Sequence, residues 1–183
     1  MSETINLAED LRETIRVVDN FPKPEISFKD ITPVLLQPGL VRRCAAEIGE
    51  AFGQLGVTKV VGIESRGFLL GPMVAQELSA GFVIVRKEGK LPRQTSRVSY
   101  DLEYGSATIE MHKDALQPGD KVLIHDDLLA TGGTAAAAAR LAAAQQHLEI
   151  VGFSFLVELA FLNGRDVLTH HSPNVHSLIE YDD

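Results

Sequence analysis

Apolar positions recur along this chain in two rhythms, one helical and one strand-like, and the two alternate. From about Glu3 to Asp19 apolar and polar residues follow helical spacing, and "NFPKP" stops that helix with its prolines. A loop is expected through Pro33, and "PGLVRRCAAEIGEAFG", from Pro38 to about Gly53, reads as a second helix. "TKVVGIE" is then a buried strand, "SRGFLLGPMVAQELSA" a turn and helix, and "GFVIVRK" another strand. About twenty residues, Glu88 to Ala107, carry no clear period and contain Gly89, Pro92 and Gly105. "SATIEMH" resumes the strand rhythm, and "QPGD" is a turn with Pro and Gly where turn chemistry wants them. "KVLIHDD" is a strand, Thr134 to about His147 a helix, "EIVGFSFLVE" a long strand and "VHSLIEY" a short last one. This alternation predicts one α/β domain over residues 1–183, its sheet mainly parallel and twisted and flanked by helices on both faces. Ligands of such sheets bind beyond the carboxyl ends of the strands, so the chemistry is expected after Gly62, Arg86 and Asp126.

Composition narrows the partners. A net charge of −8 argues against general nucleic-acid binding, although a local basic pocket for a small anion stays open. The N-terminal "MSETINLAEDLRET" lacks an apolar run of signal-peptide type, and no stretch approaches the ~20 apolar residues of a membrane span. The single cysteine, Cys44, has no internal partner for a disulfide and is expected as a buried small hydrophobe. Together these features predict a cytoplasmic protein with no membrane or nucleic-acid partner.

Four segments carry the candidate chemistry. In "VLIHDDLLATGGTAAAAAR" an apolar strand ends in Asp126 and Asp127, acceptors suited to vicinal hydroxyls directly or through a divalent metal. Ala130, Thr131, Gly132, Gly133 and Thr134 then form a small-residue turn into an alanine-rich helix, where backbone N–H groups converge on an anion such as a phosphate monoester. No Gly-Lys-Ser/Thr follows, so this is not a P-loop, and it is not a Gly-x-Gly-x-x-Gly turn. In "GIESRGFLLGP" Ser65 and Arg66 open a helix, and Arg66 can grip an anion through two parallel hydrogen bonds. "VRKEGKLPRQTSRVSYDLEYG" supplies Arg86, Lys87, Lys90, Arg93 and Arg97 in a segment long enough to act as a lid, 87–107, with Tyr100 and Tyr104 inside it. "FPKPEISFKDITP" is a proline-punctuated loop with an apolar aromatic, Phe28, whose plain reading is a core anchor. The histidines of "HHSPNVHSLIEY" have no convincing metal spacing, and His125 is expected as a packed strand residue.

The motif "VLIHDDLLATGGT" resembles the phosphoribosyl pyrophosphate (PRPP) signature of the type I phosphoribosyltransferases, in the form carried by the adenine-using branch. "GIESRGF", "RKxGKLP" and "YxLEYG" are similar to that branch in the family's order, from about Phe21 to Tyr181. The resemblance implies a type I phosphoribosyltransferase fold with a flexible lid, and AMP and pyrophosphate made from adenine and PRPP. It implies Asp126 and Asp127 on the ribose, Ala130 to Thr134 on the 5′-phosphate, and Ser65, Arg66, Arg86, Lys87 and Lys90 on pyrophosphate. Residues 1–35 would supply the N-terminal helix and a hood in which Phe28, the backbone around Ser27 and Lys29, and Leu128 hold adenine. Glu103 would exchange a proton with adenine N7, and Tyr104 would pack the closed lid. Mg²⁺ is expected as cofactor, held mainly by PRPP with help from Asp126 and Asp127 and with no protein-only site. A homodimer is implied, with Arg86 or Lys87 near the neighbouring site. Two other outcomes stay open: a transferase for hypoxanthine, guanine or xanthine, against which "ATGGT" and "LEYG" argue, and a non-catalytic PRPP or nucleotide sensor.

Overall fold

The computed structural model describes residues 6–101, 105–145 and 147–182. Its main sheet has seven strands: β3 (Lys59–Ile63), β4 (Gly81–Lys87), β5 (Thr95–Asp101), β6 (Ser106–His112), β7 (Lys121–Leu129), β8 (Glu149–Leu159) and β9 (Val175–Tyr181), in the order β5-β6-β4-β3-β7-β8-β9. Strands β4, β3, β7, β8 and β9 run parallel, while β6 is antiparallel to both β4 and β5. Helices α1 (Leu7–Thr14), α3 (Pro38–Phe52) and α4 (Gly67–Glu77) cover one face. Helices α5 (Gly133–Ala143) and α6 (Gly164–Thr169) cover the other. A four-residue helix, α2 (Thr32–Leu35), precedes α3. Alternation along each strand feeds both cores: Val60 and Leu123 pack under α3 and α4, whereas Val61, Val122 and Ile124 pack under α5. The mainly parallel α/β architecture expected from the sequence is therefore the observed one.

The N-terminal region departs from expectation. The first helix stops at Thr14, and Arg16–Asp19 is a strand, β1, paired antiparallel with β2 (Ser27–Asp30). The β-branched pair Val17–Val18 favours the extended form, so the helical rhythm of the sequence runs on past the true helix end. Residues 20–26 turn the ribbon, with Asn20 and Glu25 at positive φ. The segment read as irregular between Glu88 and Ala107 also holds a strand, since β5 pairs with β6 along its whole length. Only Val98 and Tyr100 of β5 pack inward, too few apolar positions to announce an edge strand. A 3₁₀ turn at Ala160–Leu162 and the six-residue α6 are likewise too short for any period to declare. Cys44 is buried in α3, and burial pushes its thiol up to about 12, in line with the expected packing role. None of the helices among the described residues is long and apolar enough to cross a membrane.

Candidate active site

Strand β7 does not end at the two aspartates; it continues through Leu128 and Leu129, so both carboxylates project from hydrogen-bonded strand. Asp127 is buried and Asp126 half-buried, and Asp126 Oδ1 accepts the Asp127 backbone N–H at 2.9 Å. Burial drives the Asp126 carboxyl well above the usual range, and the neighbouring Asp127 charge pushes it further. Burial also raises Asp127, against the pull of the Arg66 guanidinium. Two adjacent acids in a poorly solvated place carry charge that a ligand can relieve.

Arg66 reaches them because α4 starts close to β7. A Cβ on Gly67 would meet the His125 carbonyl oxygen at 2.8 Å and Asp126 Oδ1 at 3.0 Å, so a larger residue there would push the helix start away. At this separation Arg66 Nε lies 2.8 Å from Asp127 Oδ2, and its guanidinium carbon sits 5.3 Å from the centroid of the Phe28 ring. Phe28 meets Phe21 edge-on at 5.2 Å. Three segments far apart in the chain, holding the candidates for base, pyrophosphate and ribose, thus meet through Phe28, Arg66 and Asp127. Ser27 and Lys29 flank Phe28 on β2; Lys29 Nζ lies 3.3 Å from Ser27 Oγ and over the Tyr181 ring. Since β2 pairs only with β1 among the described residues, its other edge leaves backbone donors and acceptors open.

Beyond Leu129 the chain wraps a cavity of about 80 Å³ lined by Asp126 and by Leu128 through Ala135. That is several times the ~10–15 Å³ one water requires. Leu128, expected at the base, lines this cavity and packs against the core below it. Gly132 takes φ +80°, and no side chain caps the N-terminus of α5, whose first-turn N–H groups are left for an anion. The loop is buttressed from behind by Gly164: a Cβ there would stand 2.1 Å from the Ala130 carbonyl oxygen, and one on Gly132 would stand 2.6 Å from the Gly164 carbonyl oxygen. Gly164 belongs to the site's support, although no motif in the sequence pointed to it.

Glu64, the acid just before Ser65 and Arg66, was not singled out from the sequence, yet it organises the basic cluster. Its carboxylate accepts from Arg86 Nε at 3.2 Å, Arg86 Nη2 at 3.3 Å, Lys90 Nζ at 2.6 Å and the Lys87 backbone N–H at 3.0 Å. Burial alone would raise this carboxyl, but the hydrogen bonds from Lys90, Arg86 and Lys87 outweigh it and bring it down to about 2. Glu110, almost fully buried in β6, does the same for the turn that follows. It accepts the Lys90 and Leu91 N–H groups at 2.9 and 3.0 Å, Thr95 Oγ1 at 3.1 Å and Arg97 Nε at 3.2 Å. A lone acid inside the apolar strand "SATIEMH" was the available signal for it. Ser65 follows a cis Glu64–Ser65 peptide and its carbonyl oxygen accepts the Phe68 N–H at 3.2 Å. Glu103 and Tyr104 lie outside the described residues. His125 is fully buried, its Nδ1 3.0 Å from Ser154 Oγ, and burial depresses it to about 4, as suits a packed neutral residue.

A family model for the phosphoribosyl transferase domain matches residues 34–162. The chain is 54% identical over 172 residues to the adenine phosphoribosyltransferase of Anaeromyxobacter dehalogenans, covering 93% of this chain and 98% of the relative. The chain belongs to the adenine phosphoribosyltransferase family. Among solved structures of that family, the Rhodothermus marinus enzyme superposes with a TM-score of 0.89 at 55% identity, covering 96% of this chain and 98% of its own. The Giardia lamblia enzyme, solved in complex with 9-deazaadenine, gives a TM-score of 0.89 at 37% identity and covers 98% of this chain and all of its own.

Proposed function

We propose that this phosphoribosyltransferase joins adenine to the 5-phosphoribosyl group of PRPP, giving AMP and pyrophosphate. The observation that carries the reading is that Arg66 joins the Phe28 ring to the buried Asp127 carboxylate, while the adjacent Asp126 lines the loop cavity. The Giardia relative's complex with 9-deazaadenine supports the choice of base. In the reaction the bond between ribose C1′ and the pyrophosphate oxygen breaks while adenine N9 bonds to C1′, and the base gives up one proton, which Glu103 takes at N7. The loop Ala130–Thr134 holds the 5′-phosphate, and Asp126 and Asp127 accept hydrogen bonds from the ribose hydroxyls. Ser65, Arg66, Arg86, Lys87 and Lys90 offset the charge of departing pyrophosphate. Phe28 stacks on the base, while the open edge of β2 around Ser27 and Lys29 reads its rim, with Leu128 below. A backbone carbonyl there accepts from the exocyclic amine of adenine but finds no donor on a 6-oxo group. Glu103 exchanges the proton with adenine N7, and the lid with Tyr104 excludes water.

Among the described residues no group of three or more His, Cys, Asp or Glu side chains could hold a metal ion. Two adjacent carboxylates still suit Mg²⁺, an ion that takes one or two carboxylates plus substrate phosphate oxygens and waters. Asp126 and Asp127 are the residues that would help hold it, and when bound it neutralises charge on PRPP oxygens. We further place the protein in the cytoplasm as a homodimer, with Arg86 or Lys87 near the neighbouring site. Pyrophosphate release from PRPP, measured with adenine, hypoxanthine, guanine and xanthine, tests the proposal: release with adenine far above the others is expected, and release only with a 6-oxopurine, or with none, would refute it. Glu103→Gln should lower turnover far more than PRPP affinity; an unchanged rate would remove Glu103 from its role.

A further inference from the structure

Among the described residues, the lid hairpin meets the wall of the loop cavity through a side-chain hydroxyl that the assignments above leave unused. Strand β5 ends at Asp101, just ahead of Glu103, and Tyr100 from that strand packs its ring against the core beneath α5. Its hydroxyl lies 3.2 Å from Oγ1 of Thr134, in the first turn of α5 and on the cavity wall. The Asp101 carbonyl oxygen is also close, 4.0 Å from where a Cβ on Gly133 would stand. At its other end the hairpin is held by the Glu110 carboxylate and the Arg97–Glu88 pair, so this contact alone joins its catalytic end to the phosphate loop through side-chain hydroxyls among the described residues.

We infer that Tyr100 is a positioning residue that ties the lid to the 5′-phosphate through Thr134. In the free protein either hydroxyl can donate to the other. A phosphate dianion is acceptor-only, so a bound one orients the Thr134 O–H toward itself. The Thr134 oxygen is then free to accept, and the Tyr100 O–H becomes the donor. Occupation of the cavity therefore fixes a two-step chain, Tyr100 to Thr134 to phosphate, with its second link charge-assisted. Binding energy from a group that takes no part in bond breaking is thereby used to seat the segment that carries Glu103. This rests on the phosphoribosyl reading of the cavity.

The test is amide hydrogen exchange with ribose 5-phosphate as probe and ribose as control, together with steady-state kinetics. In the native protein ribose 5-phosphate, and not ribose, should slow exchange in both 130–134 and 95–101. Tyr100→Phe keeps the ring and should keep protection of 130–134, lose protection of 95–101, and lower kcat about tenfold with a much smaller change in the KM for PRPP. Thr134→Ser, which retains the hydroxyl, should behave like the native protein in both segments. Protection of 95–101 that survives in Tyr100→Phe, a native kcat in that variant, or lost coupling in Thr134→Ser would overturn the inference. Failure of ribose 5-phosphate to protect 130–134 in the native protein would instead overturn the reading of the cavity, and the inference with it.

Discussion

Replacing Glu64 with Gln removes one charge from the centre of the basic cluster while keeping the shape. The carboxylate is only 10% exposed and takes hydrogen bonds from two cationic side chains and a backbone N–H. Its drop from an ordinary 4.5 to about 2 sets an upper bound of roughly 3 kcal/mol on its preference for the folded state, at 1.36 kcal/mol per tenfold. Arg86 and Lys90 are 32% and 46% exposed, so water and salt screen them, and about 1–2 kcal/mol is the realistic share. For a chain of this length that corresponds to a fall of roughly 2–8 °C in unfolding temperature. The pH dependence follows from the sign. A carboxyl depressed by folding stabilises the protein fully above its unfolded value near 4.5, and that contribution is lost as pH falls through about 2. Urea unfolding of native and Glu64→Gln protein should therefore show a constant gap above about pH 5 that closes toward pH 2. Freed of their internal counter-ion, Arg86 and Lys90 should also bind pyrophosphate more tightly, read as a lower inhibition constant. A stability gap of the same size at pH 3 and pH 7, or weaker inhibition by pyrophosphate, would refute the reasoning.

Gly164→Ala drives a methyl into the Ala130 carbonyl, a backbone group that cannot rotate aside. Thermal unfolding should show a loss of about 1–3 kcal/mol, and the KM for PRPP should rise even though residue 164 has no expected contact with substrate. Asp126→Asn removes one of two adjacent, poorly solvated charges. The ligand-free protein should gain about 0.5–2 kcal/mol in denaturant unfolding while PRPP affinity falls, and a variant that lost both would sink the idea of a site that holds unfavourable charge for its ligand. Phe28→Leu keeps an apolar side chain beside Arg66 without a flat face; the KM for adenine should rise well above that for PRPP in initial-rate kinetics.

The parallel core was legible because its signals are local: Val60, Val61, Val122, Leu123 and Ile124 alternate between faces within a few residues. The loop after Asp127 was legible for the same reason, as Thr and Gly between a strand and an alanine helix state their own backbone needs. Glu64 and Gly164 were not, because their meaning comes from partners distant in the chain: Lys90 and Arg86 for the first, Ala130 for the second. The ribbon of β1 and β2 was hidden by a different cause. Val17 and Val18 satisfy helical spacing and strand propensity at once, and only pairing with Phe28 and Lys29 decides between them.

The run Ala135 to Ala139, entirely buried with Leu141 and Ala142, gives α5 an unusual thermodynamic character. A methyl group has no rotamers, so ordering these residues sacrificed backbone freedom alone. Nothing along the buried stretch can reorient when an anion arrives at the first turn. The helix is therefore a platform whose entropy was spent during folding, and anion binding at its N-terminus should leave the alanine methyl order parameters of residues 135–139 unchanged while those of the lid hairpin rise.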